Sequence, residues 1–186
     1  VTRKGSNVKA KKLTTPLTQG KALSLKAGDR VLLSGTVYTA RDQAHKRMTE
    51  TLIEGRDLTF IPPGATIYYA GPAPARPGRP IGSCGPTTSA RMDAFAPALM
   101  AAGVRGMIGK GERGGNVVDA IKTFKGVYFA AAGGAGALLA RRVKSARVVA
   151  YEDLGPEAVR ELVVDDLPLI VAIDAHGNNL FERKKR

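Results

Sequence analysis

From Thr66 onward, short apolar runs bounded by glycine or proline alternate with segments whose apolar residues recur at helical spacing. This alternation constrains the fold more than any other feature of the chain. Residues 66–70, 107–108, 126–132, 147–151 and 169–173 read as strands. A helix is predicted to start at Gly85-Pro86-Thr87-Thr88, to run through Met92, Phe95, Leu99 and Met100, and to stop at Gly103. Residues 116–124, 135–143 and 156–162 also read as helices, the last beginning on a proline. Turns are expected at Pro62-Pro63-Gly64 and at 174–178, and a flexible loop at 109–115. Pro72, Pro74, Pro77 and Pro80 make 72–80 an extended loop. Before Thr66 the pattern is richer in strand: 23–29 predicts a strand and turn, and 30–39 a strand with a bend or bulge at Gly35. Residues 41–54 follow as a helix with Ala44, Met48 and Leu52 on one face. Together these readings predict an α/β domain with a β-rich flank.

The 186 residues fit one domain, 1–186, with basic tails at 1–12 and 182–186 that are candidates for flexible segments. No apolar run approaches the ~18 residues that span a bilayer, and the polar N-terminus has no signal-peptide core behind it. The single cysteine, Cys84, permits no internal disulfide. The expectation is a soluble, cytoplasmic chain with no membrane partner. The net charge of +13 raises a nucleic-acid reading, but Arg3, Lys4, Lys9, Lys11 and Lys12 at one end and Arg183, Lys184, Lys185 and Arg186 at the other supply most of it. Aromatic RNA-recognition signatures, zinc-finger spacings and arginine–glycine repeats are absent from the sequence, so that reading, a basic binding module, stands second.

Three cations occupy contexts that expose them. Arg41 lies at a strand-to-helix junction, Arg91 one predicted helical turn after Thr87, and Lys110 between Gly109 and Gly111 directly after a short strand. Two guanidinium forks and an ammonium converging would form a dicarboxylate pocket; on spacing alone they read first as ordinary surface cations. Thr87 and Thr88 read first as helix caps. A hydroxyl carries protons in such a place only if a helix N-terminus and a neighbouring guanidinium favour its anion. Gly134-Ala135-Gly136 is a weak dinucleotide match, because Leu139 stands where the third glycine belongs, and Gly109-Lys110 fails as a phosphate loop because Gly111 follows the lysine. His45 and His176 lack metal-ligand spacing, His45 reads as structural or as turned towards Arg41, and Cys84 reads as buried and inert.

Three stretches taken together resemble the fumarase/tartrate dehydratase β-region of class I, iron–sulfur-dependent hydro-lyases: Gly35 to Arg47; Gly71-Pro72 with Gly85-Pro86-Thr87-Thr88-Ser89-Ala90-Arg91-Met92-Asp93; and Gly106-Met107-Ile108-Gly109-Lys110-Gly111. Val149 to Ala158 and Asp174 to Phe181 extend the resemblance over nearly the whole chain outside the tails. It implies a swivelling β/β/α domain, with Arg41, Arg91 and Lys110 gripping substrate carboxylates and Thr87 as candidate base. It also implies a [4Fe-4S] cluster on a separate α-subunit and none bound by this chain alone, since one cysteine cannot hold a cluster. The implied role is the β-subunit of a two-subunit fumarate hydratase, fumarate and malate being the substrate pair. The alternative within the family is a tartrate dehydratase β-subunit or another dicarboxylate hydro-lyase. Made without its partner, such a chain is a candidate for homo-oligomers, the sequence leaving the oligomeric state open.

Overall fold

The computed structural model describes residues 9–182, so Arg3, Lys4 and the run Arg183 to Arg186 lie outside the described residues. Lys11 and Lys12 of the expected tail belong to a strand, β1 (Lys11–Thr14). It is followed by α1 (Gln19–Leu23), β2 (Arg30–Thr39), α2 (Asp42–Ile53), β3 (Thr66–Tyr68), a 3-10 turn at Ser89–Met92, and α3 (Ala96–Ala101). Then come β4 (Gly106–Gly109), α4 (Gly115–Phe124), β5 (Val127–Ala130), α5 (Gly136–Ala140), β6 (Val143–Ala150), a 3-10 stretch at Glu152–Glu157, and β7 (Val159–Ile173).

The architecture is mixed α/β. Strands β1 to β5 lie side by side and parallel, in chain order. β7 runs antiparallel to β2 along one edge, from Arg30↔Ile170 to Thr39↔Arg160, and to β5 and β6 along the other. The β2–β7 pairing therefore closes the sheet on itself. Because side chains alternate along a strand, each strand feeds two cores. Val37, Tyr68, Ile108 and Phe129 join the cluster with Leu33 and Leu162, whereas Tyr38, Ile67, Met107 and Tyr128 face Met48, Leu99 and Ile121 of the helices. Both faces are buried, which is why these strands read as continuous apolar runs.

Two sequence expectations fail here. Residues 23–29 form no strand: Leu23 ends α1, and the segment turns at Gly28 (φ 97°). Residues 159–162 are strand rather than helix. Their helix-forming side chains are overridden by pairing with β2 and β6. β7 extends to Ile173 because the Asp165-Asp166 pair, which interrupts the apolar run, sits in a bulge opposite Ser34. There Asp166 takes φ 49° and its N–H donates to Ser34 Oγ at 2.9 Å.

Candidate functional site

Because β2, β3 and β4 are parallel, their C-terminal ends face one way, the usual place for a ligand crevice in such sheets. Arg41 follows β2, Tyr69-Ala70-Gly71 follows β3, and Lys110 follows β4. The Ala40 N–H donates to Tyr68 O (3.1 Å) and the Tyr69 N–H to Ile108 O (2.8 Å), so the three ends are tied. The segment from Thr87 to Arg91 returns across them. Thr87 N–H donates to Tyr69 O (2.7 Å), Thr88 bridges Lys110, and Ser89 N–H donates to Lys110 O (3.0 Å). Gly109 is needed for this approach, since a side chain there would meet Ser89 Oγ and the Tyr69 ring. The structure thus brings Arg41, Thr87, Arg91 and Lys110 to one end of the sheet.

The local geometry at Thr87 differs from the sequence expectation. Thr87 and Arg91 do not share a helical turn: the chain is extended through Thr88, and the 3-10 turn begins at Ser89. Pro86 disfavours helix at Gly85, and the Thr88–Lys110 bridge holds the segment as strand. Neither threonine caps a helix, as Thr88 makes no side-chain cap bond and the Thr87 hydroxyl has no hydrogen-bond partner among the described residues. Any electrostatic help for the Thr87 hydroxyl therefore comes from cations rather than from a helix terminus.

Arg41 is the N-cap residue of α2, and its guanidinium lies 3.8 Å from Asp42 Oδ2 and 3.7 Å from Glu157 Oε1. Arg91 is half exposed and donates from Nε to Asp42 Oδ1 at 2.9 Å. Lys110 is exposed, forms no ion pair among the described residues, and its aliphatic stem passes beside Gly133. Glu157 Oε2 accepts from Gln43 N–H (2.9 Å), so a residue 114 positions away serves the start of α2.

Sequence reasoning missed the support beneath these groups. Arg113, in the loop expected to be flexible, has a fully buried side chain. It donates to Asp93 Oδ1 (2.6 Å) and lies 5.2 Å and 4.9 Å from the ring centroids of Tyr69 and Tyr128. Asp93 Oδ2 accepts from Gly114 N–H (2.6 Å). The Tyr128 hydroxyl lies 2.9 Å from Ser89 Oγ and donates to Gly111 O (2.8 Å), while Lys110 N–H donates to Ser89 Oγ (3.0 Å). The Lys110 loop is therefore pinned. The one available signal was an arginine among glycines, two of which flank Lys110.

His45 is fully buried one turn into α2. Its Nδ1 donates to Arg41 O at 2.9 Å, its Nε2 has no hydrogen-bond partner, and its ring meets Tyr69 edge-on at 5.2 Å. Burial lowers its pKa from 6.5 to about 4, so the ring is neutral at pH 7. The unfolded chain binds a proton that the folded chain excludes, so this contribution is full above about pH 6.5 and is lost as pH falls towards about 4. Unfolding free energy, measured by urea titration, should fall by about 2 kcal/mol between about pH 6.5 and pH 4.5, and the fall should shrink in His45→Gln. Equal slopes for the two proteins would remove His45 as the cause.

The donor set does not fit an iron–sulfur cluster. Cys84 is buried, desolvation pushes its thiol up to about 12, and several thiolates are needed. Among the described residues no group of three or more His, Cys, Asp or Glu side chains is placed to hold a metal ion, and no helix is long and apolar enough to cross a membrane. Clefts of about 370 and 840 Å³ are lined by other residues, Pro72, Pro80 and Arg160 in the first and Arg30, Leu138 and Ile170 in the second. The four candidate residues stand on an open surface outside them.

A family model described as Fumarase C-terminus matches residues 1–184. The putative L(+)-tartrate dehydratase subunit beta of Methanocaldococcus jannaschii is 42% identical over 175 residues, covering 89% of this chain and 88% of its own length. The L(+)-tartrate dehydratase subunit beta of Escherichia coli K12 is 34% identical over 179 residues, covering 94% and 88%. The anaerobic class I fumarate hydratase of Escherichia coli K12 is 38% identical over 156 residues, which is 83% of this chain. The chain spans 28% of the length of that relative.

Proposed function

The chain belongs to the Fumarase C-terminus family, and from that premise we propose that it is the β-subunit of a dicarboxylate hydro-lyase, hydrating fumarate to malate reversibly together with a cluster-bearing α-subunit. The observation that carries the reading is the gathering of Arg41, Thr87, Arg91 and Lys110 at the ends of parallel strands, on an open surface that a second subunit would complete. The [4Fe-4S] cluster belongs to the α-subunit in this reading, and no step below runs through it. Arg41, Arg91 and Lys110 neutralise the two carboxylates and stabilise the aci-carboxylate charge that develops as the carbon-bound proton leaves. Thr87 takes that proton, its hydroxyl making no hydrogen bond among the described residues and being biased towards the anion by the cations gathered at the same end of the sheet. A swivelling β/β/α domain and a cytoplasmic location are parts of the same proposal, the first supported by the closed sheet with helices packed on its outer face.

Tartrate dehydration is the second reading. It is favoured by the relatives named as tartrate dehydratase β-subunits, which match over 88% of their own length. An anaerobic assay of this chain purified with its partner, comparing fumarate hydration with tartrate dehydration, tests both. Fumarate turnover that requires both chains supports the first reading, and tartrate turnover keeps the site and changes the substrate. Failure on both, with an intact complex, removes the fumarate and tartrate assignments. Stoichiometric iron and sulfide on this chain alone, with full activity, would overturn the two-subunit scheme.

A further inference from the structure

Asp42 stands between the two arginines. Its Oδ1 accepts from Arg91 Nε at 2.9 Å. Its Oδ2 is buried without a hydrogen-bond partner, and 3.8 Å away lies Arg41 Nε, likewise buried and without one. A buried donor and a buried acceptor facing each other without a bond are costly to leave so, and these two atoms stop only a few tenths of an ångström beyond hydrogen-bonding distance. The outer edge of the Arg41 guanidinium is held loosely at 3.7 Å by Glu157 Oε1. On its other side Gly71 leaves the space it occupies, since a Cβ there would lie 3.0 Å from Arg41 Cδ and Nη1. Arg41 thus lies against Gly71, with its unmade bond to Asp42 a few tenths of an ångström short. Asp42 is itself the first residue of α2, where a carboxylate is favoured by the helix N-terminus.

We propose that Asp42 is a positioning residue that couples Arg41 to Arg91. It fixes Arg91 in the empty site and takes Arg41 Nε when a dicarboxylate draws that guanidinium inward. The two arginines then respond to a ligand as one unit. Binding both through Nε leaves the terminal nitrogens of Arg91 and, once the loose Glu157 contact is released, those of Arg41 for a carboxylate, and the shared carboxylate offsets the repulsion between two like charges brought together. The identity of the ligand rests on the hydro-lyase reading; the coupling itself does not.

Two measurements separate the inference from that reading. In the chain labelled with ¹⁵N-arginine, the Arg91 Nε–H resonance should show hydrogen bonding without ligand. Succinate, an unreactive dicarboxylate, should shift and protect Arg41 Nε–H, and Asp42→Asn should abolish both signatures. In the assembled two-subunit enzyme, Asp42→Asn should raise KM for fumarate about tenfold or more with kcat within about threefold, and Asp42→Glu should restore part of the loss. The effects of Arg41→Lys and Arg91→Lys, coupled in the wild-type background, should become additive in Asp42→Asn. An Arg41 Nε–H signal indifferent to succinate in the wild-type chain overturns the coupling. So does an Asp42→Asn enzyme with wild-type KM. A complex that turns over neither dicarboxylate, with the succinate response intact, removes the hydro-lyase reading and leaves the coupling standing.

Discussion

Replacing Thr87 by alanine is expected to lower kcat of the assembled enzyme by about 10²–10⁴-fold, the range associated with a lost general acid–base group, with little change in KM and none in the fold. The structure separates this expectation from a stability effect. Thr87 is held by its backbone, whose N–H donates to Tyr69 O at 2.7 Å, and alanine keeps that bond. Its hydroxyl caps no helix and bonds to no described residue, so its removal leaves no group unsatisfied. Thr87→Ser keeps the hydroxyl and should retain most of the turnover. Steady-state kinetics with the partner present, alongside circular dichroism and thermal melting of each variant, decide the matter. An alanine enzyme within threefold of wild type would take the proton-transfer role away from Thr87.

Arg113→Met is expected to destabilise the chain by about 3–5 kcal/mol, the usual result of removing one member of a buried ion pair. The change strands Asp93, whose side chain is 16% exposed and whose carboxylate sits 2.6 Å from Arg113 Nε, and it removes a cation packed against Tyr69 and Tyr128. In a chain of this size that corresponds to a fall in melting temperature of about 6–20 °C. Arg113→Met combined with Asp93→Asn should recover part of the loss, because the amide still accepts from Gly114 N–H without leaving a charge unpaired. Since Asp93 and Arg113 also frame the turn carrying Arg91 and the loop carrying Lys110, the single variant should bind dicarboxylates more weakly even below its melting point. A melting temperature within 2 °C of wild type would show that the buried pair contributes little.

The placement of Arg41, Thr87, Arg91 and Lys110 at one end of the sheet was legible because each candidate lies at a strand end or beside glycines, where local pattern puts it at the rim of a sheet. The partners that hold them were not. Arg91 finds Asp42 across 49 residues and Arg113 finds Asp93 across 20, and glycines on both sides made the Arg113 loop look loose. The strand itself was legible for β2, whose apolar run appears and whose register with β7 shifts beside Gly35. It was hidden in β7, where two aspartates and Pro168 break the run and a proline start imitates a helix. The Thr87 segment reads as helix from Met92, Phe95 and Leu99, but the bridge from Thr88 to Lys110 delays the turn to Ser89. Local propensity loses wherever a distant strand supplies the hydrogen bonds.

The strand that closes the sheet is also the last to be synthesised among the seven. β7 pairs with β2 across more than 120 residues, as Arg160 opposite Thr39 and Ile170 opposite Arg30. Until it emerges from the ribosome, β2 and β5 present open edges of the kind that recruit other chains. Contacts so distant in sequence slow folding, and the ring closes only after the other six strands have been made. The charged residues Lys144 and Arg147 on β6, and Lys11 and Lys12 on β1, lie on the two strands that flank the ring. Charged side chains on edge strands disfavour pairing with other copies.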